Sequence, residues 1–319
     1  MTGRLEKGKA ALLLVLLLAV VLAFGILLGS ETVDLFDPSE AQYAILLEIR
    51  IPRVLLGACV GACLACAGAA LQALLRNPLA EPYLLGVSNG AALGTMLAFV
   101  FFSTLSLTRP VMAFGGAILA TAAVYRIARS RAGMSVERLV LSGVIVTTFL
   151  SSIIILLTSL LDATRLRSFT FWLLGDLSQA TYGGFYLTLA AAVAGTLLLM
   201  SQARALNLMM VGERDALDFG VEVGRTRLVV FLTSSAMVGL SVAASGSVGF
   251  VGLIVPHLVR LATGSDNRTV LPFSAVFGAA FVVAADTVAR TVIAPRELPV
   301  GAITALIGAP LFIFLLKRN

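Results

Sequence analysis

Ten long apolar runs, separated by short stretches of charged residues, proline or glycine, constrain this sequence more than any other feature. A helix that crosses a hydrocarbon layer of roughly 30 Å needs about 20 residues, and each run is close to that length. The chain is 59% hydrophobic and only 13% charged, which is far outside the range of soluble globular domains. We therefore predict an all-α, polytopic membrane protein, with one transmembrane domain over residues 1–319 and about ten helices, at approximately 10–28, 52–75, 84–103, 110–128, 138–160, 183–202, 226–244, 248–263, 270–292 and 298–316.

The basic residues indicate how these helices are oriented. Arg4, Lys7 and Lys9 precede the first run, which is too long for the apolar region of a signal peptide and is expected to be retained. With ten spans both termini lie on one side, and 16 of the 23 lysines and arginines fall on that side, including Arg126, Arg129, Arg131 and Arg138. Cytoplasmic loops carry such an excess, so both termini are predicted to be cytoplasmic. The same bias accounts for the net charge of +6, and no nucleic-acid partner is predicted.

The sequence offers no pattern that supports catalysis or a bound cofactor. Residues 3–10 fit the G-x-x-x-x-G-K part of a phosphate-binding loop, but Ala10 replaces the hydroxyl residue that would bind magnesium. Cys59, Cys63 and Cys66 share one helical face, and they are interpreted as packing residues because no histidine or carboxylate lies nearby to complete a metal site. We expect no enzyme activity and no cofactor in this chain.

Two polar residues within the apolar runs leave alternatives open. His257, the only histidine, could bind haem or a metal or relay protons, but a structural role at a helix end is favoured. Asp286 is the one carboxylate well inside a run, which makes it a candidate for proton or ion coupling. Arg290 follows four residues later on the same helical face, so a local ion pair is the favoured interpretation.

The cytoplasmic loop at about 204–224 is the most informative part of the sequence. Within it, two short helical stretches are broken at Gly212, and large apolar residues are interspersed with charged ones. A merely solvated loop would not need so many large apolar side chains. We expect this loop to lie on the bilayer surface or in a groove of a partner protein.

Four segments carry a resemblance to a known family. They are Arg76-Asn-Pro-Leu-Ala-Glu-Pro-Tyr-Leu-Leu-Gly-Val-Ser-Asn-Gly90, the 206–220 loop, Gly249-Phe-Val-Gly-Leu-Ile-Val-Pro-His257-Leu-Val-Arg260, and Glu297-Leu-Pro-Val-Gly301. In order and spacing they resemble the FecCD-type permeases, which are type II ABC importer subunits for cobalamin, haem and iron-siderophore complexes. The likeness covers nearly the whole chain.

This resemblance implies a multi-pass protein of the bacterial inner membrane that works as a dimer, with the transport pathway at the dimer interface. It implies two cytoplasmic ATPase subunits that bind ATP and Mg, and an extracytoplasmic substrate-binding protein. It also assigns roles to residues of this chain. Coupling to the ATPase is expected at Leu206, Met209, Met210, Gly212, Glu213, Leu217, Phe219 and Gly220, the cytoplasmic gate at Asn77, Leu79, Ser135 and Val136, and docking of the binding protein at Arg50, Arg53 and Arg290.

Some of these expectations have alternatives. The related cobalamin permease has a hydroxyl where Val136 stands, so the chemistry of the gate differs here. The outer arginines could instead be helix-end residues whose charged groups reach the membrane surface. Hydroxyls along the fifth span could line the pathway or bond neighbouring helices; they are Ser142, Thr147, Thr148, Ser151 and Ser152. An ion-coupled secondary transporter, with Asp286 as the coupling site, is the alternative function.

Overall fold

The structure, a computed structural model, describes residues 7–31, 39–102, 108–130 and 133–318, and each predicted apolar run coincides with a helix over its described part. Arg4 and Arg131, two of the arginines predicted to lie on the cytoplasmic side, are outside these ranges. The first seven helices are α1 (Lys7–Leu27), α2 (Glu40–Ala44), α3 (Ile51–Leu74), α4 (Val87–Phe101), α5 (Thr108–Ala128), α6 (Val136–Thr158) and α7 (Ala163–Leu173). The remaining helices are α8 (Tyr182–Ser201), α9 (Ala203–Val211), α10 (Glu213–Asp218), α11 (Val223–Ser245), α12 (Val251–Thr263), α13 (Asn267–Thr291) and α14 (Val300–Arg318).

Three short elements connect these helices. A π-helical turn, Ile45–Arg50, joins α2 to α3, and a 3-10 turn, Pro82–Leu85, leads into α4. Strands β1 (Arg129–Ser130) and β2 (Gly133–Met134) pair antiparallel between α5 and α6. Helix α6 starts where the Ser135 side chain accepts a hydrogen bond from the Arg138 N–H, which satisfies a backbone donor at the helix end.

Length and composition suit most of the long helices to a membrane. Among the described residues, seven helices are long and apolar enough to cross one, namely α1, the continuous stretch Glu40–Leu74, α5, α6, α8, α11 and α13. The apolar helices Val87–Phe101, Val251–Thr263 and Val300–Phe314 are shorter. The structure therefore confirms a helical, multi-pass membrane protein.

Helix α3 forms the centre of the molecule and packs against α13 along much of its length. A side-chain carbon on Gly61 would lie only 2.1 Å from the carbonyl oxygen of Gly278, so these backbones touch directly. Small residues permit such close approach where lipid supplies no hydrophobic force between helices. Residue Gly94 of α4 meets the backbone of α5 in the same way, with Met112 O at 1.9 Å from the added carbon.

Helix α1 lies at the periphery, against α13, and most of its side chains are exposed. Lys7 at its start is 3.5 Å from Asp266, which precedes α13. Near its other end, the carbonyl of Gly25 accepts a hydrogen bond from Arg290 at the end of α13. These contacts define two ends of the bundle. We call them the α10 end, with Asp266 and helix α10, and the Asp286 end, with Arg290 and Asp286.

Candidate functional site

The predicted coupling loop forms two helices, α9 and α10, that separate at Gly212 as the sequence indicated. The inner face of α9 packs on α3 and α13, where Leu206 and Met209 are buried. Their own chain therefore covers these two side chains, which were expected to be exposed, and their part in coupling stays a prediction. Met210 is half-buried, and its sulfur accepts a hydrogen bond from Asn267 Nδ2 at 3.2 Å.

The other part of the loop presents large apolar side chains to the surroundings. Leu217 and Phe219 are 58% and 71% exposed. Val211, at the last position of α9, is 76% exposed and is not among the predicted coupling residues. Gly220 ends the stretch with φ +77, a conformation that glycine adopts without strain. We call Val211, Leu217 and Phe219 the apolar tip.

Glu213, at the start of α10, is engaged within the chain. Its Oε1 lies 2.5 Å from Nη2 of Arg227 and 3.9 Å from Nη2 of Arg76. Arg227 also donates a hydrogen bond to the carbonyl of Met134 in β2. The structure thus joins the coupling loop to residues next to both predicted gate segments.

The two gate segments are exposed or half-buried turns at the α10 end. Asn77 Oδ1 accepts a hydrogen bond from the Leu79 N–H at 2.9 Å, which fixes a tight turn after α3, and the Leu79 side chain is 47% exposed. Ser135 and Val136 begin α6 directly after Met134. Gating by these four residues stays a prediction.

At the Asp286 end, the structure buries the three arginines that were predicted to dock a binding protein. Arg53 holds both oxygens of Asp286, with Nε 3.0 Å from Oδ2 and Nη2 2.9 Å from Oδ1, and its Nη1 lies 2.7 Å from Glu297. Arg290 contacts the same carboxylate at 3.5 Å. Arg50 donates to the carbonyls of Ile26, Leu27 and Glu31. All three arginines are therefore buried and paired within the chain, and direct docking of a binding protein on them stays a prediction.

This arrangement also decides between the two interpretations of Asp286. The predicted ion pair with Arg290 is present, and Arg53 adds a second one. The charge of this carboxylate is already paired within the chain by two buried arginines, which leaves it no free oxygen pair for an exchangeable ion. The structure therefore disfavours the ion-coupled alternative.

The predicted pathway hydroxyls of α6 fall into three groups. Ser142 is buried within the chain, and its part in lining a pathway stays a prediction. Asn89 donates to the Thr147 carbonyl at 3.3 Å and to Ser151 Oγ at 2.6 Å, which ties α4 to α6. Thr148 and Ser152 are exposed, and Ser152 donates to the Thr148 carbonyl.

The remaining candidates for metal or redox chemistry are packed in the interior or at its edge. All three cysteines are buried and free. His257 is half-buried, with its ring 6.4 Å from that of Phe312. Within the described ranges, no group of three or more His, Cys, Asp or Glu residues could hold a metal ion.

Comparison with known proteins places this geometry among transport proteins. Residues 11–318 match the FecCD transport family. The chain is 38% identical to the hemin transport system permease protein HmuU of Yersinia pestis, over 100% of this chain and 98% of that one. It is 43% identical to the cobalamin import system permease protein BtuC of Halobacterium salinarum, over 88% and 76%. A solved structure described as an inward-facing metal-chelate type ABC transporter has a TM-score of 0.88, 31% identity, and coverage of 98% of this chain and 100% of that chain.

Proposed function

The chain belongs to the FecCD transport family, and we propose that it is the permease subunit of an ATP-driven importer for an iron-siderophore complex, haem or cobalamin. Membership of this family is the observation that supports the importer role. The substrate class follows from relatives that are named as haemin and cobalamin permeases and match most of this chain. The many apolar helices make it a multi-pass protein of the cell membrane.

We propose ten membrane crossings with both termini in the cytoplasm. The seven long helices and the three shorter apolar ones account for this number. The α10 end gathers Lys7, Arg76 and Arg227, and its basic character suits the cytoplasmic side. A second copy of the chain completes the transporter. Its interface forms the pathway along the exposed hydroxyls Thr148 and Ser152 of α6.

The apolar tip is the observation that supports coupling to an ATPase. Val211, Leu217 and Phe219 are exposed beside charged residues in a loop outside the long apolar helices, where neither the protein core nor the bilayer interior covers them. Such side chains fit a hydrophobic groove on another protein. In the proposed mechanism, two ATPase partners bind ATP and Mg. They hold this tip in a groove and move it when they close around the nucleotide. The permease dimer then opens alternately to each side of the membrane.

We propose that the external binding protein docks at the Asp286 end. Here Tyr43 and Leu47 are exposed beside Glu40 and Glu48, at the lip of a shallow surface cavity. Three arginines support this surface from within: Arg50, at the end of the turn, and Arg290 both hold the end of α1, and Arg53 holds the start of α3 to α13. In this proposal they shape the docking surface from beneath it.

Charge at the apolar tip tests the coupling role. Leu217→Asp and Phe219→Asp are expected to release the ATPase from the purified complex and to abolish ATP-dependent uptake into proteoliposomes. Phe219→Leu, which keeps an apolar side chain at the same position, is the matched control and should retain both. Radiolabelled cyanocobalamin, haemin and a ferric hydroxamate serve as parallel substrates. Normal ATPase retention and uptake in both aspartate variants would refute the proposed contact.

A further inference from the structure

Glu213 belongs to the predicted coupling residues, but its carboxylate faces its own chain. The Leu217 and Phe219 side chains of the apolar tip are 58% and 71% exposed, whereas Glu213 Oε1 accepts a hydrogen bond of 2.5 Å from Arg227. A charge-assisted bond this short is among the stronger contacts that a side chain makes. The helix that presents the tip to a partner is therefore fastened to the permease at its first residue.

Arg227, which is nearly buried, connects Glu213 to the start of α6. Its side chain is 7% exposed, and it lies at the start of α11. One Nη donates to Glu213 and the other to the carbonyl of Met134, which immediately precedes Ser135. Removing the partner of a buried charge is strongly unfavourable, so the guanidinium holds its carboxylate and its carbonyl together. A shift of α10 is thereby carried to the start of α6.

Arg76, which is more exposed, connects Glu213 to the end of α3. It follows α3 and has a backbone φ of +49, in the left-handed region where a helix usually ends with glycine. A residue with a side chain pays a conformational cost there. The Arg76 side chain is 46% exposed, and its guanidinium lies 3.9 Å from the Glu213 carboxylate. Arg76 immediately precedes Asn77 in the sequence. Glu137 in the first turn of α6 also interacts electrostatically with both arginines.

We propose that Glu213 is a positioning residue that transmits the movement of α10 to both predicted gate segments, through Arg227 to Ser135 and Val136 and through Arg76 to Asn77 and Leu79. This inference rests on the proposed function, because it requires that an ATPase move α10. It differs from the expected role of Glu213, since the carboxylate acts inside the permease and not at the ATPase surface.

The test measures gate movement in the assembled transporter without a transported substrate. Leu79→Cys introduces a thiol at an exposed gate position, and the native cysteines are buried, so a polar maleimide reports on residue 79. The labelling rate is measured in proteoliposomes with and without Mg·ATP and vanadate. It is compared among Leu79→Cys alone and its combinations with Glu213→Gln, Arg76→Gln and Glu222→Gln.

Glu222→Gln is the matched control. Glu222 pairs with Arg225 at 3.5 Å in the same loop, but both side chains are more than 70% exposed, and among the described residues neither side chain forms a hydrogen bond or ion pair with a gate segment. Coupling between two sites typically changes an equilibrium by a factor of about 5 to 150. We expect Glu213→Gln to remove this nucleotide-dependent change in labelling while the ATPase stays bound. Arg76→Gln should reduce it, and Glu222→Gln should leave it intact.

An undiminished nucleotide response in Glu213→Gln would overturn the inference. If that variant fails to assemble, the exposed Arg76→Gln decides the matter, and a full response there would overturn the inference equally. Uptake per ATP hydrolysed is recorded in parallel, since a purely structural loss lowers both rates together, whereas a lost connection lowers only uptake. Failure of the proposed function would be distinct, because the Glu222→Gln control would then lack an ATP response as well.

Discussion

A cluster of two arginines around one carboxylate lies near each end of α3, and the two clusters differ in how deeply they are buried. At the Asp286 end, Arg53 and Arg290 surround one carboxylate, and the three side chains are 6%, 2% and 3% exposed. At the α10 end, Arg76 and Arg227 share Glu213, and the three side chains are 46%, 7% and 38% exposed. Each group has two arginines and one central acid, so burial is the main difference between them.

Burial changes what such a cluster can do. A fully enclosed ion pair is costly to separate, because each charge would be left in a medium of low dielectric. The half-exposed pair of Arg76 and Glu213 can exchange its partner for water at little cost, although Arg227 in the same cluster is nearly buried. We therefore expect the Asp286 end to behave as a fixed clamp between α3 and α13. We expect the α10 end to rearrange more readily, through its Arg76 side, as the proposed coupling requires.

The largest effect is expected from Asp286→Asn, which removes the central charge of the clamp. Arg290 would lose its counterion and Arg53 would keep only Glu297, and breaking a buried pair typically costs about 3–5 kcal/mol. The thermal unfolding temperature of the detergent-purified protein should fall markedly. Glu297→Gln, at a side chain that is 32% exposed, is the control and should have a smaller effect. Equal unfolding temperatures for wild type and Asp286→Asn would show that burial does not distinguish the two ends.

A smaller loss of stability is expected from Glu213→Gln. Glutamine removes the negative charge that Arg227 and Arg76 share and leaves only a weaker, neutral acceptor, and one side of the cluster is open to water. The loss of stability should not exceed the roughly 1.5–3 kcal/mol that a hydrogen bond to a charged group contributes. The same unfolding measurement should therefore place this variant between wild type and Asp286→Asn. A drop as large as that of Asp286→Asn would contradict a rearrangeable α10 end.

Salt should separate the two clusters further. A double-mutant cycle on Arg76 and Glu213 is expected to give a coupling energy below about 1 kcal/mol at low salt. At about 1 M salt the screening length falls to roughly 3 Å, so this coupling should disappear. The corresponding cycle on Arg53 and Asp286 should keep most of its value. Equal salt sensitivity of the two cycles would remove the proposed distinction.

The smallest effect concerns a second carboxylate at the α10 end, Asp266. The Asn207 amide donates to it at 2.8 Å, and this hydrogen bond, with further help from the Arg268 N–H and Lys7, lowers the pKa of Asp266. A lowered pKa in the folded state stabilises the protein above the unfolded pKa, and that contribution is lost as pH falls through the folded value. Asn207→Ala should raise the pKa of Asp266 and flatten the acid limb of the unfolding temperature against pH. An unchanged pH profile would mean that Asn207 contributes nothing to it.

The sequence predicted the helices well because apolar length is a local property. All ten runs coincide with helices, and the break at Gly212 is where the sequence placed it. The sequence also singled out the 206–220 loop by its large apolar residues among charged ones, but composition does not show what covers each side chain. For Leu206 the cover is the chain itself, and for Phe219 the side chain is left exposed.

Ion pairs between residues far apart in the chain could not be predicted from the sequence. Arg53 and Asp286 are 233 residues apart, and no spacing rule relates them, whereas the i, i+4 pair of Asp286 and Arg290 could be predicted directly. Arg227 and Met134 are likewise brought together only by the folded bundle. For this reason the outer arginines were expected on the surface, and the internal role of Glu213 was missed.

The position of α1 has a consequence for the timing of biosynthesis. Its main neighbour, α13, is made much later, since Arg290 is 265 residues beyond Gly25. At a synthesis rate of about 5–20 residues per second, α1 is made roughly 13–53 s before Arg290. During that interval the face of α1 that later packs on α13 meets lipid, and a helix that is apolar on nearly every side, with Leu12, Leu16 and Val20 still exposed in the finished fold, is suited to that environment.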